Sequence, residues 1–362
     1  MQRHTARAIG ALLLSTAAAA ASAATTYKAE WIRPDLVNKR ILFDGGRINN
    51  HGVIVGGRGI QGNAYARPFR WSAADGYREG HDLPGGEPWA ELADVNEHGI
   101  AVGFASAETR QHAAIFTESG RIRDLAPLLP DGMRSNATGI NESGEVVGFY
   151  SARDYPRVED ARVFAWSPDA GMSLIALPEG YDYAVPVGIN DAGLIAGWGC
   201  GPHDCGGFQG TAAGGLHGFI VDGLPTAVNA RGEIVGRPFG DGPAFIWDAI
   251  LGARSLPMPA GSTQCWASDI NAKGVVVGQC NGAHGGPIAW HPADGTGYGL
   301  SRLALHIGGQ PDPWPYCNGE LCYYVESALS INDLGQIVVQ VATYPYAYID
   351  EGDLLLLTPV DD

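Results

Sequence analysis

His203 next to Asp204 is the pairing in this chain that could most directly do chemistry: an imidazole whose neighbouring carboxylate orients it as a general base. Tyr155 is a second possible base. Arg157 and Arg110 could neutralise the carboxylate of an acidic sugar, as a polysaccharide lyase requires. Hydrolysis of a glycan would instead need two carboxylates at a suitable separation, and nothing in the linear sequence pairs them. Flat aromatic faces suit sugars equally well without any reaction. Trp198, Tyr150, Trp314, Tyr316 and Tyr323 supply them, with Arg58, Arg110, Arg237 and His284 as polar partners. Binding of an extracellular glycan or protein is therefore the first expectation. A lyase or hydrolase is the alternative, and a structural role at the cell surface is the third reading. A pair such as His203 with Asp204 is more often a solvated loop.

These residues fall in the gaps of a repeat. The phrase Ile or Val, Asn, two variable residues, Gly recurs seven times, with its Asn at Asn49, Asn96, Asn141, Asn190, Asn229, Asn271 and Asn332. Asn caps a turn with its own side chain, and Gly supplies the left-handed residue that closes it. The β-branched runs that follow, such as Val53-Ile54-Val55 and Val275-Val276-Val277, have strand composition. A second phrase alternates aromatic and small residues: Phe69-Arg70-Trp71, Ala114-Ile115-Phe116, Phe164-Ala165-Trp166, Phe245-Ile246-Trp247, Ile288-Ala289-Trp290 and Ala347-Tyr348-Ile349. A turn and a short strand ending at Leu83, Leu125, Leu177 or Leu256 complete a four-stranded unit. The seven Asn are expected to be structural.

Four-stranded units of this length repeated seven times predict an all-β, seven-bladed β-propeller of antiparallel blades. Its ring would be closed by an N-terminal strand joining the C-terminal three. If the strand before each Asn is outermost, strand 43–49 would join strands 336–341, 345–350 and 353–358, burying Leu354-Leu355-Leu356-Leu357. The unit at 197–229 departs from the pattern, either as a short blade or with Gly207-Phe208-Gln209 as a strand. Turn parity puts all tight turns on one face and the long connections on the other. Those connections are roughly 57–67, 103–113, 149–162, 198–217, 237–244, 279–287 and 303–325. Variable loops on a rigid frame are where function usually sits.

The two phrases together resemble the HAF repeat of bacterial extracellular repeat proteins, over about residues 41–350. The resemblance implies an extracellular repeat protein and brings no catalytic motif with it.

Residues 1–23 read as a signal peptide: Arg3 and Arg7, an apolar run from Ala8 to Ala21, then Ala21-Ser22-Ala23. Residues 24–362 would form the single propeller domain of a periplasmic or secreted protein. Six cysteines in an exported chain favour disulfides. Their spacing predicts Cys200 with Cys205, Cys265 with Cys280, and Cys317 with Cys322. A zinc site is the rival reading, with His203 between the first pair. The formal net charge of −16 argues against nucleic acid and anionic membrane surfaces. No later segment is long enough to span a bilayer. No cofactor is expected, since no nucleophile elbow, phosphate-binding loop, zinc-protease helix or EF-hand loop occurs. The protein is expected to be a monomer.

Overall fold

The computed structural model describes residues 26–32, 41–60, 66–84, 89–107, 110–153, 157–219, 221–282, 286–292, 298–302, 305–306, 316–318, 321–344 and 353–360. The predicted signal peptide and strand 345–350 lie outside them. The chain forms a seven-bladed β-propeller. Blades 1 to 6 are antiparallel four-stranded sheets over 41–79, 90–124, 134–175, 183–219, 223–255 and 265–302. Blade 7 combines Leu321–Ile331, Ile337–Tyr344 and Asp353–Val360 with the N-terminal strand Thr26–Ile32. Two short strands, Leu305–His306 and Tyr316–Asn318, flank that sheet.

Two details of the expected closure are corrected. The closing strand is Thr26–Ile32, paired antiparallel with Asp353–Val360 from Thr26↔Val360 to Ile32↔Leu354. Strand Ile41–Ile48 instead starts blade 1 and pairs with Ile54–Ile60. The strand before each Asn is also innermost rather than outermost, because the first strands of neighbouring blades touch one another all round the ring. Leu354 to Leu357 are buried, as expected for a strand inside the closing sheet. The unit around 197–229 is a regular blade: Cys205–Thr211 supplies its third strand and Gly215–Phe219 its fourth.

Each Asn does two jobs. Its Oδ1 accepts backbone N–H groups of its own turn, as Asn190 does from Ala192 at 3.1 Å and Leu194 at 2.9 Å. Its Nδ2 donates to the carbonyl of the Asn in the next blade. The links run 49→96, 96→141, 141→190, 190→229, 229→271, 271→332 and 332→49, at 2.9 to 3.2 Å. The last of these joins residues 283 positions apart and closes a complete circle of hydrogen bonds. All seven Asn are buried.

Buried apolar side chains fill the junctions between blades. Val235, Ile246 and Leu256 of blade 5, for example, pack with Ile270, Val276 and Trp290 of blade 6. In blades 2 to 6 the glycine that ends the second strand's apolar run has a packing role. At Gly197 an added Cβ would lie 2.5 Å from the Phe208 ring and 2.7 Å from the Pro186 Cα. Gly197→Ala is thus expected to cost about 2 kcal/mol through overpacking. Denaturant unfolding checks it, and an unchanged midpoint would refute the packing role.

Candidate functional site

The first strands of all seven blades enclose a central cavity of about 550 Å³. Blades 4, 5 and 6 supply its apolar wall through Val185, Pro186, Leu224, Pro225 and Trp266. Each of these strands carries a bulge, as between Pro186 and Gly188 and between Ala267 and Asp269. Bulges increase twist and re-aim side chains. Trp198 and Arg237 reach the same cavity from the second strands of blades 4 and 5. They stand directly opposite Val185 and Leu224, so each cross-strand pair presents one face to the cavity.

The two tryptophans are held in place. Trp198 meets the Tyr183 ring edge to face, at 6.1 Å between centroids and 83° between planes. The disulfide Cys200–Cys205 pins the end of its strand to the next. Trp266 directly follows Cys265, which is bonded to Cys280 across the hairpin. Two of the three predicted bridges are therefore formed. Cys317 and Cys322 face each other in register, but their side chains lie outside the described residues. Among the described residues no group of three or more His, Cys, Asp and Glu could hold a metal.

Toward the Asn turns the cavity meets charge. Arg47 Nη1 lies 3.1 Å from Asp269 Oδ1, linking blades 1 and 6. Asp269 and Asp94 also stitch neighbouring blades, each accepting a backbone N–H at 3.0 Å, from Ile331 and Ile140 respectively. Burial raises the Asp94 carboxyl to about 6, against the pull of the Ile140 N–H and of Arg47. A folded value above the unfolded one means that folding favours the neutral acid. That stability is present below about pH 4 and lost as pH rises through 6. Asp94→Asn removes the ionisation and keeps an acceptor for Ile140, but turns its amide NH2 toward the Val95 N–H, which Asp94 Oδ1 accepts at 2.9 Å. Relative to the native protein, its unfolding midpoint should therefore be higher at pH 8 than at pH 4. A difference equal at both pH values would sink the claim.

The tight-turn face is taken up with architecture. Glu97 accepts the Asn50 N–H at 3.0 Å, Glu142 that of Glu97 at 2.9 Å, and Asp191 that of Glu142 at 3.0 Å. The opposite face holds the strand-to-strand connections. Several are shorter than the sequence suggested. Residues 103–113 are mostly two strands, Ala101–Ala107 and Arg110–Phe116, and only Gly201–Asp204 separates the second and third strands of blade 4.

Of the residues singled out in the sequence, Trp198 and Arg237 are brought together at the cavity. Arg58 is 5% exposed and ion-paired with Glu79 inside blade 1. Tyr150 packs against the core between blades 2 and 3. Arg110 opens the third strand of blade 2, half-buried. His203 and Asp204 are exposed at the tip of the Cys200–Cys205 hairpin and do not line the cavity. The Arg157 side chain is exposed, and its carbonyl accepts from buried Arg134. Tyr316 and Tyr323 face each other in register, with side chains outside the described residues. Tyr155, His284 and Trp314 also lie outside them. Trp266 was missed because it sits in a first strand, not a long loop. Its place next to a cysteine of a predicted bridge was the available signal.

No family model matches this chain, and no curated protein matches it. Solved structures do. Virginiamycin B lyase from Staphylococcus aureus, selenomethionine-substituted, is 12% identical with a TM-score of 0.55, over 92% of this chain and all of that one. A catalytically inactive form of the same enzyme with quinupristin is 14% identical with a TM-score of 0.51, at the same coverage. Acylaminoacyl peptidase from Pyrococcus horikoshii is 8% identical with a TM-score of 0.51, over 89% of this chain and 53% of that one. At these identities the likeness is one of fold.

Proposed function

We propose that this protein is an exported binding module that takes an extracellular ligand at its channel, from the long-connection face. The observation behind this reading is the cavity that Trp198, Trp266 and Arg237 all line. Its volume falls in the range of small-molecule sites, and it combines apolar walls with few polar groups. Two aromatic faces fixed by neighbouring disulfides suit a flat ring such as a sugar. The N-terminal signal and the two disulfides support export. No described helix is long and apolar enough to cross a membrane. The repeat phrases support placing the chain with the HAF-repeat proteins.

Binding is favoured over hydrolysis of a glycan by the lining itself. Among the described residues, no Asp, Glu or His borders the cavity. Glycan- and peptide-array screening with intrinsic Trp fluorescence tests the reading. Ligand should change the emission of the native protein, and Trp198→Ala with Trp266→Ala should abolish binding with the fold intact. Binding undiminished in that double variant would move the site elsewhere.

A further inference from the structure

The residues lining the cavity depart from the charge balance of the whole molecule. The chain carries 39 Asp and Glu against 23 Lys and Arg. Yet two of the residues lining the cavity are arginines, Arg47 and Arg237, and among the described residues none is Asp or Glu. Arg47 is committed to Asp269. Arg237 is exposed and has no carboxylate partner among the described residues, unlike Arg58, Arg78, Arg231 and Arg254. A lone guanidinium beside two rigid indoles is a bidentate receptor for an oxyanion carried on a flat ring. Thr138, Thr226 and Ser268 line the same cavity. The Thr226 hydroxyl donates to the Ala267 carbonyl at 2.8 Å, which leaves its oxygen free to accept from a ligand hydroxyl.

We propose that the ligand is an anionic saccharide. One sugar ring would stack on Trp198 or Trp266, with its carboxylate or sulfate on Arg237. This rests on the binding-module reading above and narrows it to a chemical class. In an acidic protein such a site discriminates sharply. An anion is repelled everywhere except where the lining is basic, so affinity depends on reaching Arg237.

The test is titration calorimetry of the disulfide-intact protein with four probes: a galacturonate trisaccharide, a sulfated trisaccharide, the matching neutral galactose trisaccharide and benzoate. The acidic trisaccharides should bind at least tenfold more tightly than the neutral one. Arg237→Gln should erase that preference, weakening the acidic probes about tenfold more than the neutral one. Its unfolding midpoint should match that of the native protein. The uronate and sulfate arms separate the two sources of charge. Neutral and acidic trisaccharides binding alike would overturn the charge claim and leave the binding module standing. Benzoate binding without any saccharide would overturn the sugar. A native protein that binds none of the four would overturn this proposal, while array hits of another class would still uphold the module.

Discussion

Asn190→Asp is expected to lower the stability of the propeller by roughly 3 kcal/mol at pH 7, although it changes one amide to a carboxylate of nearly the same shape. The carboxylate can still accept from Ala192 and Leu194, so the turn itself is served. What is lost is the donor. Asn190 Nδ2 reaches the Asn229 carbonyl at 3.0 Å, and an ionised Asp would instead set negative charge against that buried oxygen. The variant carries its own control. A protonated acid regains an O–H donor, so its folded pKa must lie above the unfolded value. The stability it brings is therefore present at low pH and lost as pH rises through the folded value. The deficit relative to the native protein should be smallest near pH 4 and full at pH 7. Denaturant midpoints at the two pH values check this. A deficit independent of pH would rule out ionisation as its cause, and no deficit at either pH would mean that the link to the next blade contributes nothing.

Removing Thr26–Ile32 should abolish cooperative unfolding altogether. Ile32 is fully buried against Val338, Leu354 and Leu356 of blade 7 and the blade 1 side chains Ile54 and Phe69. Without that strand, Asp353–Val360 becomes an open edge carrying buried leucines, which invites aggregation. A rescue separates lost closure from mere damage. Because Thr26 pairs with Val360 antiparallel, the same seven residues can be appended after Val360 through an Asn-Gly turn as a hairpin. The permuted chain should unfold cooperatively with a midpoint near that of the native protein. Size-exclusion chromatography and thermal unfolding read both. A deletion that stays folded, or a permuted chain that does not fold, would contradict this account of closure.

The frame was legible because its signals are local. Each Asn-x-x-Gly turn declares one hairpin, and the spacing of the cysteines puts them opposite each other across turns. Two things were hidden. Thr26–Ile32 precedes the first repeat and contains neither phrase, since a fourth strand only has to cover an edge. Turn parity is also silent on which strand faces the axis. The clue was the residue type. A turn that needs only an acceptor is served by Asp or Ser as well. Asn in all seven copies says that the amide donor is used too, and a donor pointing out of its own turn must find a neighbour. Half of the candidate site was equally hidden. The aromatic residues of the long connections were visible as a class. The contribution of Trp266 depends on which side of a first strand faces the cavity, and a bulge in that strand decides it.

The closing pair of strands also sets an order of events. A chain made from its N-terminus releases Thr26–Ile32 before any other described strand, and Asp353–Val360 after all of them. Blades 1 to 6 can each form from contiguous residues while synthesis continues, but the first strand lacks its long antiparallel partner, Asp353–Val360, until the last has been made. Until then its ladder partner among the described residues is the two-residue strand Leu305–His306, and the edge of a segment containing Tyr27, Trp31 and Ile32 stays open to misassembly. The ring thus works as a completeness check: a chain that stops before residue 353 leaves open the long edge of its first strand that a full-length chain pairs from Thr26 to Ile32.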